Sequence, residues 1–461
     1  MPTSRVVIRF HGHRDTSSSL TWAQRYFWDL IAATPMDKKA NVNVPLHVQV
    51  PSGTSLKTVL DAISHLLSKH ESLRTTYRVD DSGEPVQVLH AKGDIAVSLV
   101  EVRSELSVAI HAVTDSMRAG EIDLTRDLPL RISVITKDSV PAFVALVISH
   151  ITIDGVAMGV LHSDLTRYMS NGCQEPPASK IGRQPVDQSR HESSAAVKAR
   201  AMKSLEYQRQ QIVHFPNSMF DGCAGQVEEP RYMRATLTVP TLARSAGWLA
   251  RRYRVTPPAV ILAAYTIAVC YRTGRDECSF MLYSANRWDV QIRESVGPFA
   301  QISAMRVRGD ADSFKEMARR AHRAAMSAYA NGAYPTQQFD LALNDISRAR
   351  GGRILLDAVV DIVDIRGNGL PAEELSESVL AEMESAGSFS VLERMNEAHQ
   401  ALWLKVHPDE LHAVADTAAF SRDQLECLLR GMQTILINVL ISEDVSLQRL
   451  REVNFPLLVQ N

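Results

Sequence analysis

The sequence predicts an α/β fold of the α+β sandwich type, built as two halves of similar make-up. Segments in which apolar residues alternate with polar ones, as in strands, are interspersed with segments whose apolar residues recur every three or four positions, as in helices. The same mixture appears on both sides of a polar stretch that contains three prolines. We therefore expect an N-terminal half over 1–175, a linker over 176–194 and a C-terminal half over 195–461.

The first half is predicted to alternate strands and helices. After a short strand and a serine-rich turn, Thr21 and Gln24 form a capping-box pattern that opens an amphipathic helix. The uninterrupted apolar run 143–148 indicates a strand buried on both faces in the centre of a sheet. In chain order the predicted elements are a strand over Val6–Phe10, the helix through Ile31, a strand over Leu46–Val50, a helix over Leu56–Leu67, a hairpin of Tyr77–Val79 with Val86–Leu89, and strands over Leu130–Val134 and Phe143–Ile148.

The second half repeats this mixture. Thr256 followed by Pro257 and Pro258 is typical of a helix start, because threonine caps the first turn and proline is tolerated within it. The predicted elements are a helix over Ala195–Val213, a strand over Met233–Val239, a helix over Leu242–Tyr253, the Thr256 helix ending near Gly274, a strand over Phe280–Tyr283, a hairpin of Leu402–Val406 with Leu411–Asp416, and a helix over Arg422–Ile441.

Composition excludes several classes of protein. With 461 residues, 45% apolar and 22% charged, the chain is long and apolar enough for packed cores. A net charge of −2 lacks the basic excess of a nucleic-acid binder. The longest predominantly apolar run, Ala259 to Tyr271, is shorter than the roughly 18 residues of a membrane helix. Five scattered cysteines without a CxxC spacing predict neither disulfides nor a zinc site, as is typical of a cytoplasmic protein. Together these observations predict a cytoplasmic protein with no metal, nucleic-acid or membrane partner.

Two charged clusters can be interpreted either as solvated surface or as docking surfaces for a partner. The acidic residues within 373–384 are predicted to form a solvated helix face or a loop, rather than a surface that docks a partner. An arginine-rich set could dock an acidic carrier protein, although a role in surface solubility is favoured. Its members are Arg319, Arg320, Arg323, Arg348, Arg350 and Arg353.

The stretch Ser149-His150-Ile151-Thr152-Ile153-Asp154-Gly155 carries the clearest chemical signal. It lies where the apolar strand ends and a helix begins, a place where active-site groups are commonly displayed. His150 needs a polar partner or a substrate there, and Asp154 beside Gly155 indicates a tight turn that encloses a carboxylate. The alternative is a core histidine with satisfied hydrogen bonds and an aspartate that only caps the following helix.

Four segments together resemble a known family. The Ser149–Gly155 stretch resembles the HHxxxDG motif of nonribosomal peptide synthetase condensation domains, which have the chloramphenicol-acetyltransferase fold. Residues 20–28 (LTWAQRYFW) resemble the first motif of that family, residues 69–77 (KHESLRTTY) the second, and residues 296–301 (VGPFAQ) its VGxFVN segment. Because the four occur in the family order, the chain is identified as a member. No adenylation or carrier motif accompanies them, so we expect a free-standing enzyme or a single excised domain, and the initial methionine favours the free-standing form.

The resemblance implies both an architecture and a set of site residues. Two acetyltransferase-like halves would form a V-shaped pseudo-dimer, with a tunnel that admits two carrier-tethered substrates. His150 would lie beside the attacking amine or hydroxyl, and Gly155 would offer its backbone N–H to the loop or the oxyanion. Ser149, which replaces the first histidine of the HHxxxDG motif, is expected to be structural. Asp154 is expected to pair in the interior with Arg287, which lies nine residues before Val296 of the VGxF segment, and Gln301 replaces the family asparagine.

The function implied is that of an acyltransferase of natural-product biosynthesis. It would move an acyl or aminoacyl group from a carrier-protein thioester to an amine or hydroxyl, forming an amide or ester. Its partners would be a peptidyl or acyl carrier protein and the acceptor, with no cofactor bound and the substrates delivered on a phosphopantetheinyl carrier. Two alternatives remain: a non-catalytic recruitment domain of the same fold, and an acyltransferase of the same superfamily that uses coenzyme A thioesters.

Overall fold

The chain folds into two compact units. A computed structural model describes residues 3–171, 182–223, 225–363, 365, 387–396, 398–442 and 445–454. The first unit comprises Met1–Met202, Ala285–Ala300 and Pro335–Gln337. The second comprises Lys203–Ser284, Gln301–Tyr334 and Gln338–Asn461. Helices and strands mix in both units, which confirms the predicted α/β class.

The first unit contains eight strands within its described residues. They are β1 Thr3–His11, β2 Thr16–Ser19, β3 Asn43–Gln49, β4 Thr75–Val79, β5 Pro85–Leu89, β6 Lys92–Glu101, β7 Leu130–Lys137 and β8 Val140–Ser149. Its helices are α1 Trp22–Ala33, α2 Leu56–Lys69, α3 Leu106–Arg118, α4 Gly155–Asn171, α5 Pro185–Glu192 and the first part of α6 Ala195–Ile212.

A five-stranded sheet forms the core of the first unit, in the order β1-β6-β7-β8-β3. Strand β8 lies between β7 and β3 and pairs antiparallel with both. Val144 and Leu146 pack with α2 and α4 on one face of the sheet, while Ala145 packs with α3 on the other. Because both faces are covered, every position of 144–149 is buried. The predicted central strand is therefore confirmed.

A smaller sheet of three strands, β2-β5-β4, completes the first unit. The serine-rich segment predicted as a turn is strand β2, which pairs antiparallel with β5 from Thr16 to Ser19. Its alternating half-buried and exposed residues are all hydroxyl side chains, so hydropathy gave no strand signal.

The predicted linker differs from the structure over its described part. Residues 172–181 lie outside the described residues, but Pro185–Glu192 forms helix α5, with Pro185 at its first position. Five of its eight residues are buried, and three of those five are polar. The helix was missed because hydroxyl and carboxyl groups, not a row of apolar residues, attach it to the rest of the unit.

The second unit is organised around one seven-stranded sheet, in the order β11-β10-β12-β14-β15-β9-β13. These strands are β9 Tyr232–Thr238, β10 Glu277–Ser284, β11 Gln301–Arg308, β12 Ala358–Ile362, β13 Phe389–Met395, β14 Leu402–His407 and β15 Glu410–Asp416. The described helices are the end of α6 with α7 Leu242–Tyr253, α8 Pro257–Thr273, α9 Phe314–Ala330, α10 Thr336–Ala349, α11 Arg422–Ile441 and α12 Leu447–Asn454. The division between the units falls within α6 and α10.

Helix α8 is the predicted buried helix, and it runs through the core of the second unit. Its residues from Ala259 to Cys270 are all buried. Within the described ranges no single helix has both the length and the hydropathy to cross a membrane. By length and composition alone, α7 and α8 together meet that criterion, bent by 99°.

The two charged clusters have different outcomes. The acidic residues within 373–384 lie outside the described residues. In the arginine-rich set, Arg320 pairs with Asp310 and Glu316, and Arg348 pairs with Asp345. These local ion pairs are typical of a solvated surface.

Candidate active site

The candidate site lies at the end of β8, where the sheet passes into α4. Ser149 is the last residue of the strand, paired with Asn43 of β3, and its N–H donates to Pro129 O at 2.8 Å. A short 3-10 turn over His150–Thr152 follows, and α4 begins at Gly155. The buried central strand β8 therefore leads directly to His150.

The imidazole of His150 is half-buried and makes a hydrogen bond within its own loop. Its Nδ1 lies 3.0 Å from the carbonyl oxygen of Ile153. Because a carbonyl oxygen only accepts, Nδ1 must carry the proton that it donates. In the neutral ring the lone pair is then on Nε2, which is the nitrogen able to accept a proton.

The ring of Phe27, on helix α1, stacks on the imidazole of His150. The two centroids are 4.1 Å apart and the planes differ by 17°. Phe27 is buried, and the ring of Tyr26 meets it edge-on at 5.2 Å. The segment 20–28 is therefore in direct contact with the histidine of the Ser149–Gly155 stretch.

Buried polar groups of α1 and β4 support the loop that carries His150. Thr21 and Gln24 form the predicted capping box at the start of α1. The Nε2 of Gln24 donates to Tyr77 Oη at 3.4 Å, and Tyr77 Oη donates to Ile151 O at 3.5 Å. Burial raises the pKa of Tyr77 to about 12, so its hydroxyl remains a donor at neutral pH.

Asp154 is 3% exposed and accepts four hydrogen bonds. Its Oδ1 accepts from Ala157 N at 2.8 Å and from Arg287 Nη2 at 2.7 Å. Its Oδ2 accepts from Phe299 N at 3.0 Å and from Ala300 N at 3.3 Å. Asp154 thus both caps α4 and pairs with Arg287. The helix cap and the buried ion pair, considered above as alternatives, are present at the same time.

Arg287 fastens the 285–300 segment to the loop that carries His150. Its side chain is 6% exposed, and Nη1 donates to Ile292 O at 2.7 Å and to Ser295 O at 2.8 Å. Its guanidinium carbon lies 4.7 Å from the ring centroid of Phe299. The buried charge is therefore matched by one carboxylate and several carbonyl oxygens.

Gly155 is the first residue of α4 and is exposed. A Cβ built on it would have no heavy atom within 4 Å apart from its chain neighbours and the backbone of the helix itself. The N–H groups of the first helical turn lack partners within the helix and carry partial positive charge. This end of α4 therefore offers open space next to backbone donors.

Ser149 and the second motif occupy buried positions. Ser149 is 2% exposed. In the second motif, His70 Nε2 lies 2.8 Å from Asp164 Oδ2, and Lys69 Nζ donates to the same oxygen at 2.9 Å. Although burial opposes it, these hydrogen bonds lower the pKa of Asp164 to about 2.

Gln301 binds the backbone of Tyr334 within the second unit. Its Nε2 donates to Tyr334 O at 2.8 Å, and its Oε1 accepts from Tyr334 N at 3.5 Å.

In the part of the chain that the structure describes, no group of three or more histidine, cysteine, aspartate or glutamate side chains could hold a metal ion.

Sequence reasoning missed two features of this site. The pattern predicts Phe27 only as an apolar residue of α1, and its stack on His150 is a tertiary contact that the pattern does not encode. The backbone N–H groups of Phe299 and Ala300, which bind Asp154, left no signal in residue identity.

Comparisons with known proteins agree on one family. The model of the condensation domain matches residues 15–454. The chain is 24% identical over 310 residues to the nonribosomal peptide synthetase kk1B of Curvularia clavata, covering 64% of this chain and 2% of that protein. It is 26% identical over 314 residues to the cyclosporin synthetase simA of Tolypocladium inflatum, again covering 64% and 2%. The chain therefore spans only a small part of these relatives.

Solved structures share the fold over almost the whole chain. The condensation domain of the monacolin K polyketide synthase MokA matches with a TM-score of 0.71 at 16% identity, covering 94% of this chain and 100% of that one. The X-domain in complex with OxyB, from teicoplanin biosynthesis, matches with a TM-score of 0.67 at 18% identity, covering 95% and 96%. The epimerization domain of tyrocidine synthetase B matches with a TM-score of 0.70 at 13% identity, covering 94% and 99%.

Proposed function

The chain belongs to the condensation-domain family, and from this premise we propose that it transfers an acyl or aminoacyl group from a carrier-protein thioester to an amine or hydroxyl. The product is an amide or an ester. The observation that carries the proposal is the hydrogen bond of His150 Nδ1 to Ile153 O, because it makes Nε2 the basic nitrogen of a half-buried ring.

In the proposed reaction His150 acts as the base. The nitrogen or oxygen of the substrate amine or hydroxyl attacks the thioester carbonyl carbon, and Nε2 takes up the proton that this atom loses. The carbon–sulfur bond then breaks, and the proton held on Nε2 passes to the departing thiolate sulfur. Groups that transfer protons in this way typically contribute about 10² to 10⁴-fold to the rate.

The start of α4 is the proposed site for the carbonyl oxygen of the donor. The oxygen gains negative charge in the tetrahedral intermediate, and N–H groups at a helix N-terminus stabilise such charge. Gly155 supports this role because it is exposed, and a side chain there would meet no heavy atom within 4 Å apart from its chain neighbours and the helix backbone.

Asp154 and Arg287 take no part in proton transfer in this proposal. Both are buried, and all four hydrogen bonds to Asp154 come from groups of the protein. Their role is to hold the loop after His150 against the 285–300 segment, as the resemblance implied.

The proposed partners are a peptidyl or acyl carrier protein, which presents the thioester on its phosphopantetheinyl arm, and an amine or alcohol acceptor. Support comes from the relatives, which include a nonribosomal peptide synthetase and a cyclosporin synthetase. The proposal assigns proton transfer to one residue, His150. A donor tethered to a carrier is consistent with this, because holding the two reactants together supplies much of the rate acceleration.

A non-catalytic recruitment domain is the second candidate function. Two observations favour it: Ser149 replaces the first histidine of the family motif, and an X-domain solved in complex with OxyB has a similar fold. The presence of His150 in a tautomer suited to proton transfer argues against it. The third candidate, an acyltransferase that uses coenzyme A thioesters, is decided by the choice of donor.

Intact-protein mass spectrometry of an acyl-loaded carrier protein, mixed with a panel of amines and alcohols, tests the proposal. We expect the acyl group to leave the carrier and appear on an acceptor only when this protein is present. A matched panel uses the same acyl group on coenzyme A. Equal turnover of the two donors would favour the coenzyme A alternative, and absence of transfer from both across the panel would favour the recruitment domain.

A further inference from the structure

The orientation of the His150 ring is fixed by two contacts of different kinds. The torsion that rotates an imidazole about its Cβ–Cγ bond is broad, so the side chain alone does not define the plane of the ring. The hydrogen bond from Nδ1 to Ile153 O fixes one edge of the ring. The stack on Phe27, at 4.1 Å and 17°, fixes its plane.

Phe27 can serve as a fixed reference because it is itself held firmly. It is 8% exposed and belongs to an apolar cluster that also contains Tyr77 and Ile151. The start of its helix is closed by the capping box of Thr21 and Gln24. A carboxylate oxygen of Glu192, on α5, also accepts from Trp22 N at 2.8 Å.

The same cluster ties the reference ring to the loop that it orients. Ile151 is the residue directly after His150, and its carbonyl oxygen accepts from Tyr77 Oη. The side chain of Ile151 is fully buried in the cluster that contains Phe27. The ring of Phe27 and the loop that carries His150 are therefore packed into the same apolar cluster.

We infer that Phe27 is a positioning residue, which holds the imidazole plane of His150 so that Nε2 points at the attacking atom of the acceptor. The kinetic part of this inference rests on the proposed function, whereas the effect on the ring of His150 does not. Phe27 acts through His150 and makes no contact with the reacting atoms in this account.

The test compares Phe27→Leu, which removes the ring but keeps an apolar side chain, with Phe27→Tyr, which keeps a ring. Leu124→Ala is the control for lost packing, because Leu124 belongs to the same apolar cluster. Each protein is labelled with ¹⁵N-histidine, and the His150 signals are identified by their loss in His150→Ala. The tautomer and ring-current shift of His150 are then measured by NMR, together with kcat and KM for the acyl carrier.

In the wild type we expect a single tautomer of His150 with the proton on Nδ1 and an upfield ring-current shift. Phe27→Leu should lose that shift and broaden or mix the tautomers. Its kcat should fall by about tenfold, the scale expected for a misaligned reactive group, with KM for the carrier almost unchanged. Phe27→Tyr should restore most of kcat, and Leu124→Ala should lose stability without changing the His150 signals.

Unchanged His150 signals in Phe27→Leu would overturn the inference, as would equal changes in Leu124→Ala. If no wild-type turnover is found with any acceptor, the proposed function fails. The NMR measurement still decides whether Phe27 orients the ring, so the two failures are distinguished.

Discussion

Arg287 Nη2 donates to Asp154 Oδ1 at 2.7 Å, and both side chains are more than nine-tenths buried. The two residues are far apart in sequence, yet the contact joins the loop after His150 to the 285–300 segment. The same carboxylate caps α4 through Ala157 N. One buried ion pair therefore sets both the start of the helix and the end of the loop that carries His150.

Breaking this pair from either side should leave a buried charge without its partner. We expect Asp154→Asn and Arg287→Met each to lower the free energy of unfolding by about 3–5 kcal/mol. The double variant should lose much less than the sum, because no unpaired charge remains. Urea unfolding of the four proteins measures this coupling, and additive losses would show that the pair contributes nothing as a pair.

Gly155→Val should separate folding from turnover. The added side chain meets no heavy atom within 4 Å apart from chain neighbours and the helix backbone, so the melting temperature should hardly change. Turnover should fall at least about tenfold, because the side chain fills the space proposed for the donor carbonyl. Gly159→Val is the matched control, since Gly159 is also an exposed α4 glycine with open space. Equal turnover in both variants would remove Gly155 from the site.

Glu192 should make stability depend on pH. Burial raises its pKa to about 7, although hydrogen bonds from Gln188 and Trp22 N oppose the shift. Between about pH 4.5 and 7 the folded protein keeps a proton that the unfolded chain releases, so stability falls as pH rises through this window. The side chain of Glu192→Gln stays neutral, so its stability lacks this pH dependence. The free energy of unfolding of Glu192→Gln minus that of wild type should therefore rise by about 2–3 kcal/mol from pH 5 to pH 8.

Urea unfolding of wild type and Glu192→Gln at these two pH values gives the comparison. Asp187→Asn, on the same helix but more exposed, serves as the control for the loss of a carboxylate from α5. A constant difference between wild type and Glu192→Gln at both pH values would mean that Glu192 is not a buried proton-binding group.

Ser149→Ala should be mild in both rate and stability. The residue is 2% exposed at the end of β8, and alanine keeps the backbone hydrogen bond to Pro129 O. We expect the melting temperature and kcat to stay near wild type. A loss of activity as large as that of His150→Ala would instead make the serine hydroxyl a participant, and a nucleophilic mechanism would then need consideration.

The sequence predicted those parts of the fold whose signal is local. The apolar run at 143–148, the capping box at Thr21 and the proline-led start of α8 each depend on residues close in the chain, and each is present. Family motifs also brought Asp154 and Arg287 together before any geometry was known.

Other features depend on contacts between distant residues, and these could not be predicted. Helix α5 has no apolar stripe, and Ser189 attaches it by hydroxyl contacts to Ser18 and Ser19 at 2.9 and 2.8 Å. Residues 285–300 belong to the first unit although the chain before and after them belongs to the second. The stack of Phe27 on His150 is likewise a tertiary contact, and no local pattern encodes it.

The most direct test of the account is the rate of acyl transfer from a loaded carrier protein by His150→Ala, measured by intact-protein mass spectrometry beside the wild type. The circular dichroism spectrum and melting temperature of the same samples show whether the variant is folded. We predict a folded variant whose rate is lower by about 10² to 10⁴-fold. A folded variant that keeps the wild-type rate would contradict the role of His150 as the base.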